Sequence, residues 1–253
     1  MLTFSLEVTP TANIEEIPSS IRDVSIAFLP GRNERDVIEQ SQRLCEAGFN
    51  PVPHIPARSI RHSCHLGSFI QQLREAAHIR QVLIIGGSCE PVGDYTSSLQ
   101  LLETGLFNGM KVGIAGHPEG TPYLSDADCD AVLLKKNQFA DAMGIDMYIV
   151  SQWTLNPNSI LDWLQRIQAF NRLPVHIGIP GPASVTSLMK FAAICGVKNS
   201  MTALRHQGKN LTQLMMTQTP DSLVDQLREH VDQFHVYPFG GLPKTCKWLE
   251  TRM

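Results

Sequence analysis

In the opening stretch MLTFSLEVTP a single carboxylate, Glu7, stands among apolar and β-forming residues. A carboxylate enclosed without a partner is costly, so it is either paired or kept for proton transfer. Other side chains able to do chemistry recur at the ends of short apolar runs. They are His54 after PVP, Gly86–Gly87–Ser88 after QVLII, His117 and Glu119 in HPEGTP, Gln152 and Trp153 after YIVS, and Tyr237 in FHVYPF; the Pro30–Gly31 and Pro180–Gly181 turns close two further runs. Each has a plainer reading beside the chemical one. Glu7 can pair with an arginine, His54 can be a satisfied core histidine, and a buried Gln152 amide can bond to backbone. GGS can cradle a phosphate through its N–H groups, but a lone glycine pair is weak evidence for that. HPEGTP can be a stiff loop. His54, His117 and Glu119 are the right types for a metal, yet no HxH or HxxxH pair supports one, and no metal is expected. The absence of G-x-S-x-G argues against a serine hydrolase.

The elements that must carry these residues follow from the pattern. Eight β-rich runs are LTFSLEV (2–8), DVSIAFL (23–29), PVPHI (51–55), QVLIIGG (81–87), KVGIAG (111–116), MYIVSQW (147–153), PVHIGI (174–179) and FHVYPF (234–239). Most are separated by amphipathic stretches such as ERDVIEQSQRLCEAG, where Val37, Ile38, Leu44 and Ala47 form a helical stripe that Gly48 ends. PNSILDWLQRIQAF has Pro157 well placed at a helix start. Strands alternating with helices imply parallel pairing with helical crossovers. Eight repeats favour one closed (β/α)8 TIM barrel over residues 1–253, with an open doubly wound sheet as the alternative. In such a barrel the active site lies at the C-terminal strand ends, which is where Glu7, His54, Gln152 and Tyr237 fall.

Composition narrows the function classes. The chain has 253 residues, 43% hydrophobic and 18% charged, with a formal net charge of −3. That balance builds no polyanion-binding surface, so nucleic acid is a poor partner. No run of 18 apolar residues would span a bilayer, and the N-terminus does not read as a secretory signal. The six cysteines contain no CxxC pair, which favours reduced thiols and a cytoplasmic location.

Taken together in order, these segments resemble the methylenetetrahydrofolate reductase family. SLEVTP resembles the family's opening strand with its glutamate, and PVPHIPARSI its PHLTC-type third strand. QVLIIGGSCEPVG is similar to the R-G-D-x-P strand and loop, VGIAGHPEGTP to AAYPE-x-HP, YIVSQW to ITQ-F, VHIGIPGPASVTSLMKFA to the seventh unit, and FHVYPF to FHFYT. No single motif is sharp; their colinearity over nearly the whole chain carries the resemblance.

The resemblance implies a barrel enzyme that interconverts 5,10-methylene- and 5-methyltetrahydrofolate with NAD(P)H. It places Glu7 on the catalytic acid, a carboxyl kept protonated near neutral pH by apolar surroundings. Gln152 falls on the glutamine that bonds the pterin, with Ser88, Trp153 and Tyr237 as further substrate contacts. His54, Gly87, His117 and Glu119 fall on the cofactor side. The departures are informative. The family's R-G-D becomes Gly86–Gly87–Ser88, its tyrosine becomes His117, and Lys135 and Lys136 lie about one turn too early to reach flavin phosphates. FAD is therefore expected to be weakly held or absent, with Arg58, Arg61, His117 or Lys135 as potential replacements for the missing contacts. A non-redox tetrahydrofolate-binding protein or subunit is the alternative, and a homo-oligomer is compatible with either.

Overall fold

The computed structural model describes residues 2–29, 31–121, 124–195, 197, 200, 204 and 217–252. Eight parallel strands close into a barrel. In order around it they are β1 (Phe4–Val8), β10 (Gln233–Tyr237), β7 (Val175–Pro180), β6 (Met147–Trp153), β5 (Lys111–Gly116), β4 (Gln81–Ile85), β3 (Asn50–Pro56) and β2 (Asp23–Ile26), which pairs back onto β1. Helices α1 (Glu34–Glu46), α2 (Ser63–Ala77), α3 (Ser98–Leu102), α4 (Asp126–Met143), α5 (Pro157–Ile167), α6 (Val185–Cys195), α7 (Asp221–Leu227) and α8 (Leu242–Glu250) occupy the connections. β8 (Ala183–Ser184) and β9 (Thr217–Gln218) form a small antiparallel pair outside the barrel.

All eight strands read from the sequence are barrel strands, and the architecture is the (β/α)8 barrel rather than the open sheet. The differences are local. β2 stops at Ile26 instead of Leu29, and β10 stops at Tyr237 because Pro238 has no N–H to donate. The connection after β4 carries only the five-residue α3. Among the described residues no helix is long and apolar enough to cross a membrane.

Alternation along the strands sorts their residues into two sets. Leu6, Val24, Ile55, Ile84, Val112, Ile149, Ile177 and Val236 belong to one large core shared with the helices. Val52, Leu83, Tyr148 and Val150 form a separate, small cluster with Ile85, filling part of the barrel lumen. The lumen positions of β1, β7 and β10 carry Ser5, Glu7, His176, His235 and Tyr237 instead of the bulky branched residues usual inside such barrels. The Tyr148 ring fits only because β5 has Gly113 beside it: a Cβ there would lie 2.7 Å from Tyr148 Cζ and 2.8 Å from Leu83 Cδ1. Below Tyr148, Gln81 Nε2 donates to its hydroxyl at 2.8 Å, and the His176 ring lies 4.6 Å from it centroid to centroid. Burial, then His235 and Lys111, hold the His176 imidazole down to about 4, so it is neutral at physiological pH.

Candidate active site

Three strands deliver one cluster at the C-terminal mouth. Glu7 comes from β1, His54 from β3 and His235 from β10. Glu7 Oε2 lies 3.5 Å from His54 Nε2 and 3.6 Å from His235 Nε2. Both imidazoles are buried, and neither Nε2 has a hydrogen-bond partner. His235 is held from its other side, with Nδ1 2.9 Å from Ser5 Oγ. That contact is local in the sheet, because Ser5 and His235 are register partners on β1 and β10.

The charge state of Glu7 reverses the sequence expectation. Burial pushes its carboxyl up, but the His235 and His54 imidazoles outweigh burial and leave it below the ordinary carboxylate value. Glu7 is thus an anion at neutral pH, not a resting acid. His54 is itself held down, by burial first, against the raising effect of Glu7. The cluster therefore rests as a carboxylate between imidazoles, of which His54 is neutral.

The rim beside it is built by β6, β7 and β10. The Tyr237 hydroxyl donates to the Ser151 carbonyl at 3.1 Å, and its ring stands 4.9 Å from His235, edge to face. Burial, with Glu7 and Cys195 adding to it, raises the Tyr237 phenol, which stays protonated. Gly178 makes room for that ring; a Cβ would come within 2.8 Å of Tyr237 Cε2. On β6 the register slips between Val150 and Trp153, so that Trp153 rather than Gln152 faces Gly178. The Gln152 side-chain oxygen is enclosed there without a hydrogen-bond partner. Trp153, expected at the substrate, is 1% exposed and packs with Ala183, Val185, Leu188 and Ala192. It anchors the rim beneath a run of stacked rings, Tyr237 on Phe239 and Phe239 on Phe191, at 5.5 and 4.1 Å.

The remaining sequence candidates lie apart from Glu7 in function. Glu119 accepts hydrogen bonds from the Thr154 hydroxyl, from Ser200 N at 3.0 Å and from Ser200 Oγ at 2.6 Å. Its carboxylate ties the loop after β5 to Thr154, just after β6, and to Ser200, beyond α6. His117 is held down to about 4 by burial and by Lys136. Lys136 is 4% exposed, and burial lowers its ammonium to about 8, while Lys135 faces solvent. Gly87 takes φ +91° after β4, a conformation that favours glycine, and packs against Pro56. Gly87 and Ser88 line a separate groove of about 680 Å3 outside the Glu7 cluster. Pro30 lies outside the described residues.

His235 was missed in the sequence, although FHVYPF puts it on the same strand face as Tyr237, two residues on. Cys195 was also missed. Its thiol ends α6 near enough to the mouth that Trp153 and Glu7 both act on it, burial being the larger effect that raises it. Among the described residues no group of three His, Cys, Asp or Glu side chains is set to hold a metal ion. The arrangement can bind a polar heterocycle through orphaned donors and acceptors, stabilise a cation, and move a proton.

No protein-family model matches the chain. Similar solved structures include dihydropteroate synthase (FolP) from Thermus thermophilus, at 12% identity and a TM-score of 0.49, covering 100% of this chain and 94% of that one. Another is 3-dehydroquinate dehydratase from Geobacillus kaustophilus, at 12% identity and a TM-score of 0.38, covering 83% of this chain and 93% of that one. Likenesses of this size add nothing about activity, and the barrel assignment stands on the strand order itself.

Proposed function

We propose that the protein is an oxidoreductase of the methylenetetrahydrofolate reductase type, exchanging hydride between NAD(P)H and the one-carbon unit of a tetrahydrofolate. The observation that carries this reading is the Glu7–His54–His235 cluster at the barrel mouth beside an unpartnered Gln152 oxygen. Buried polar atoms without partners are rare in native proteins and mark places where a ligand completes the bonding. The donor and acceptor set suits the mixed edge of a pterin.

The chemistry follows from the ionised Glu7. In the reducing direction Glu7 first takes a proton from solvent; the bond from the methylene carbon to the arylamine nitrogen then breaks, its electron pair stays on that nitrogen, and Glu7 passes the proton to it and is a carboxylate again. The carbon becomes a cationic iminium that accepts hydride from NAD(P)H. A fixed carboxylate stabilises such a cation in a water-poor site. In the oxidising direction hydride leaves the methyl group to NAD(P)+, and Glu7 accepts the arylamine proton as the methylene bridge closes.

Flavin fits poorly. The residues that the resemblance aligns with flavin contacts are Gly86–Gly87–Ser88, which carry no charge, a neutral His117, and a Glu119 already bonded to Thr154 and Ser200. Lys136 is enclosed rather than presented to a diphosphate. No step is therefore routed through flavin, and hydride passes directly between the two bound substrates, held together at the mouth.

The test is an absorbance spectrum of the purified protein followed by NADH and NADPH oxidation with methylenetetrahydrofolate. Colourless protein with turnover is expected. Stoichiometric FAD would overturn the direct-transfer reading. Tight tetrahydrofolate binding without turnover in either direction would leave a folate-binding protein in place of a reductase.

A further inference from the structure

We propose that the groove over β3 and β4 is a subsite for an anionic tail on a ligand whose reactive end lies at Glu7; this rests on the reading of the barrel mouth given above. The groove is walled at its inner end by Pro56 and Ile85. Pro56 is two residues beyond His54 on β3, so about 7 Å separates them at the strand rise of about 3.3 Å per residue. A ligand seated at the mouth needs to extend only that far to enter.

At its outer end the groove presents cations. Arg32, Arg35 and Arg61 line it, against one lining carboxylate, Glu34. Glu34 is already engaged, since its Oε1 lies 2.6 Å from His65 Nε2. The Arg61 backbone N–H donates to His65 Nδ1 at 3.0 Å, so Nε2 carries the proton and donates to Glu34. Arg35 pairs with Glu39 at 2.7 Å and Arg32 with Asp36 at 3.8 Å, both one turn apart along α1 and its lead-in. Exposed pairs of this kind are weak and yield readily to a better anion.

Arg61 is different. It makes no ion pair among the described residues, and its influence on Glu34 acts at longer range. Its main chain is fixed from both sides, by the bond to His65 and by Asp94 N donating to its carbonyl at 2.8 Å. A rooted, unpaired guanidinium suits bidentate binding of phosphate or carboxylate. Ser59 and Ser88 add hydroxyls along the same wall. The chemistry this selects is a flexible tail bearing several anions. Two sources share it: the diphosphate of a nicotinamide dinucleotide and the linked carboxylates of a polyglutamyl folate.

Titration calorimetry on the full chain separates them. ADP probes the diphosphate, and a tri-γ-glutamate peptide probes the carboxylates. One of the two should bind, weaken with salt, and lose at least about ten-fold in Arg61→Ala, with Arg61→Lys intermediate. The probe that binds identifies the tail. Monoglutamyl tetrahydrofolate, which lacks the additional γ-linked glutamates, should bind Arg61→Ala within about two-fold of wild type, and Glu7→Gln should leave probe binding unchanged. Failure of both probes to bind wild type, or indifference of both to Arg61→Ala, overturns the groove as an anion subsite. A probe that binds through Arg61 while tetrahydrofolate does not bind at all removes the folate reading of the mouth and the tail assignment with it, leaving an anion site of its own.

Discussion

Glu7→Gln preserves volume and removes one charge from between two imidazoles. In the native protein burial raises the carboxyl, and His235 and His54 more than offset it, so the folded value lies below the ordinary 4.5. A depressed folded value means that the Glu7-linked part of folding stability is complete above the unfolded value near 4.5. It is lost as pH falls through the lower folded value. The glutamine variant lacks that linkage. Its stability deficit against wild type should be full at neutral pH and shrink below about pH 4.5. For catalysis, a positioned proton-transfer group contributes about 100- to 10,000-fold. Turnover should therefore fall at least about 100-fold, about 2.7 kcal/mol at 1.36 kcal/mol per decade. Tetrahydrofolate affinity should stay within a few-fold, because Gln152 and both imidazoles remain. The assay is NAD(P)H oxidation with kcat and KM separated, folate Kd from fluorescence quenching, and Tm followed against pH. Turnover within about three-fold of wild type would remove Glu7 from the mechanism. A stability deficit equal at neutral pH and well below pH 4 would refute the ionised resting state.

His235→Leu removes the largest influence holding Glu7 down, so the acidic limb of kcat/KM should move to higher pH; a limb that stays in place would show that His54 alone sets the charge. Gln152→Leu should weaken tetrahydrofolate binding by about 1–3 kcal/mol. It should leave Tm unchanged or higher, because the free protein loses an unpartnered buried oxygen; a lowered Tm with unchanged affinity would make Gln152 structural. Glu119→Ala breaks the bonds to Thr154 and Ser200 and should cost about 1.5–3 kcal/mol. That is a fall of several degrees in Tm at about 2–4 °C per kcal/mol for a chain of this size. Full thermal stability would show that the loop after β5 is held by other contacts.

The sequence by itself determined the barrel and which candidate residues stand at its strand ends. Eight strands were legible because each is a short β-rich apolar run with its own turn residues, all of them short-range properties. Glu7, His54, Gln152 and Tyr237 were legible as strand-end residues for the same reason. The two-residue period even marked His235 as sharing a face with Tyr237, though no local feature singled it out for chemistry.

What the tertiary structure decided were the partners. The resemblance implies a protonated acid at Glu7, yet its charge is set by His54 and His235, which reach it from other strands. Ser5, which positions His235, is 230 residues from it in sequence. The slip in β6 decided that Trp153 is buried in the rim while Gln152 keeps an orphaned oxygen, and a bulge leaves no mark in a period-two pattern. Glu119, which the resemblance places on the cofactor side, is bonded to Thr154 and Ser200, which lie 35 and 81 residues on in the sequence. Strand formation depends on neighbours a few residues away, whereas the ionisation and bonding of a side chain at the mouth depend on dipoles and burial supplied by distant segments.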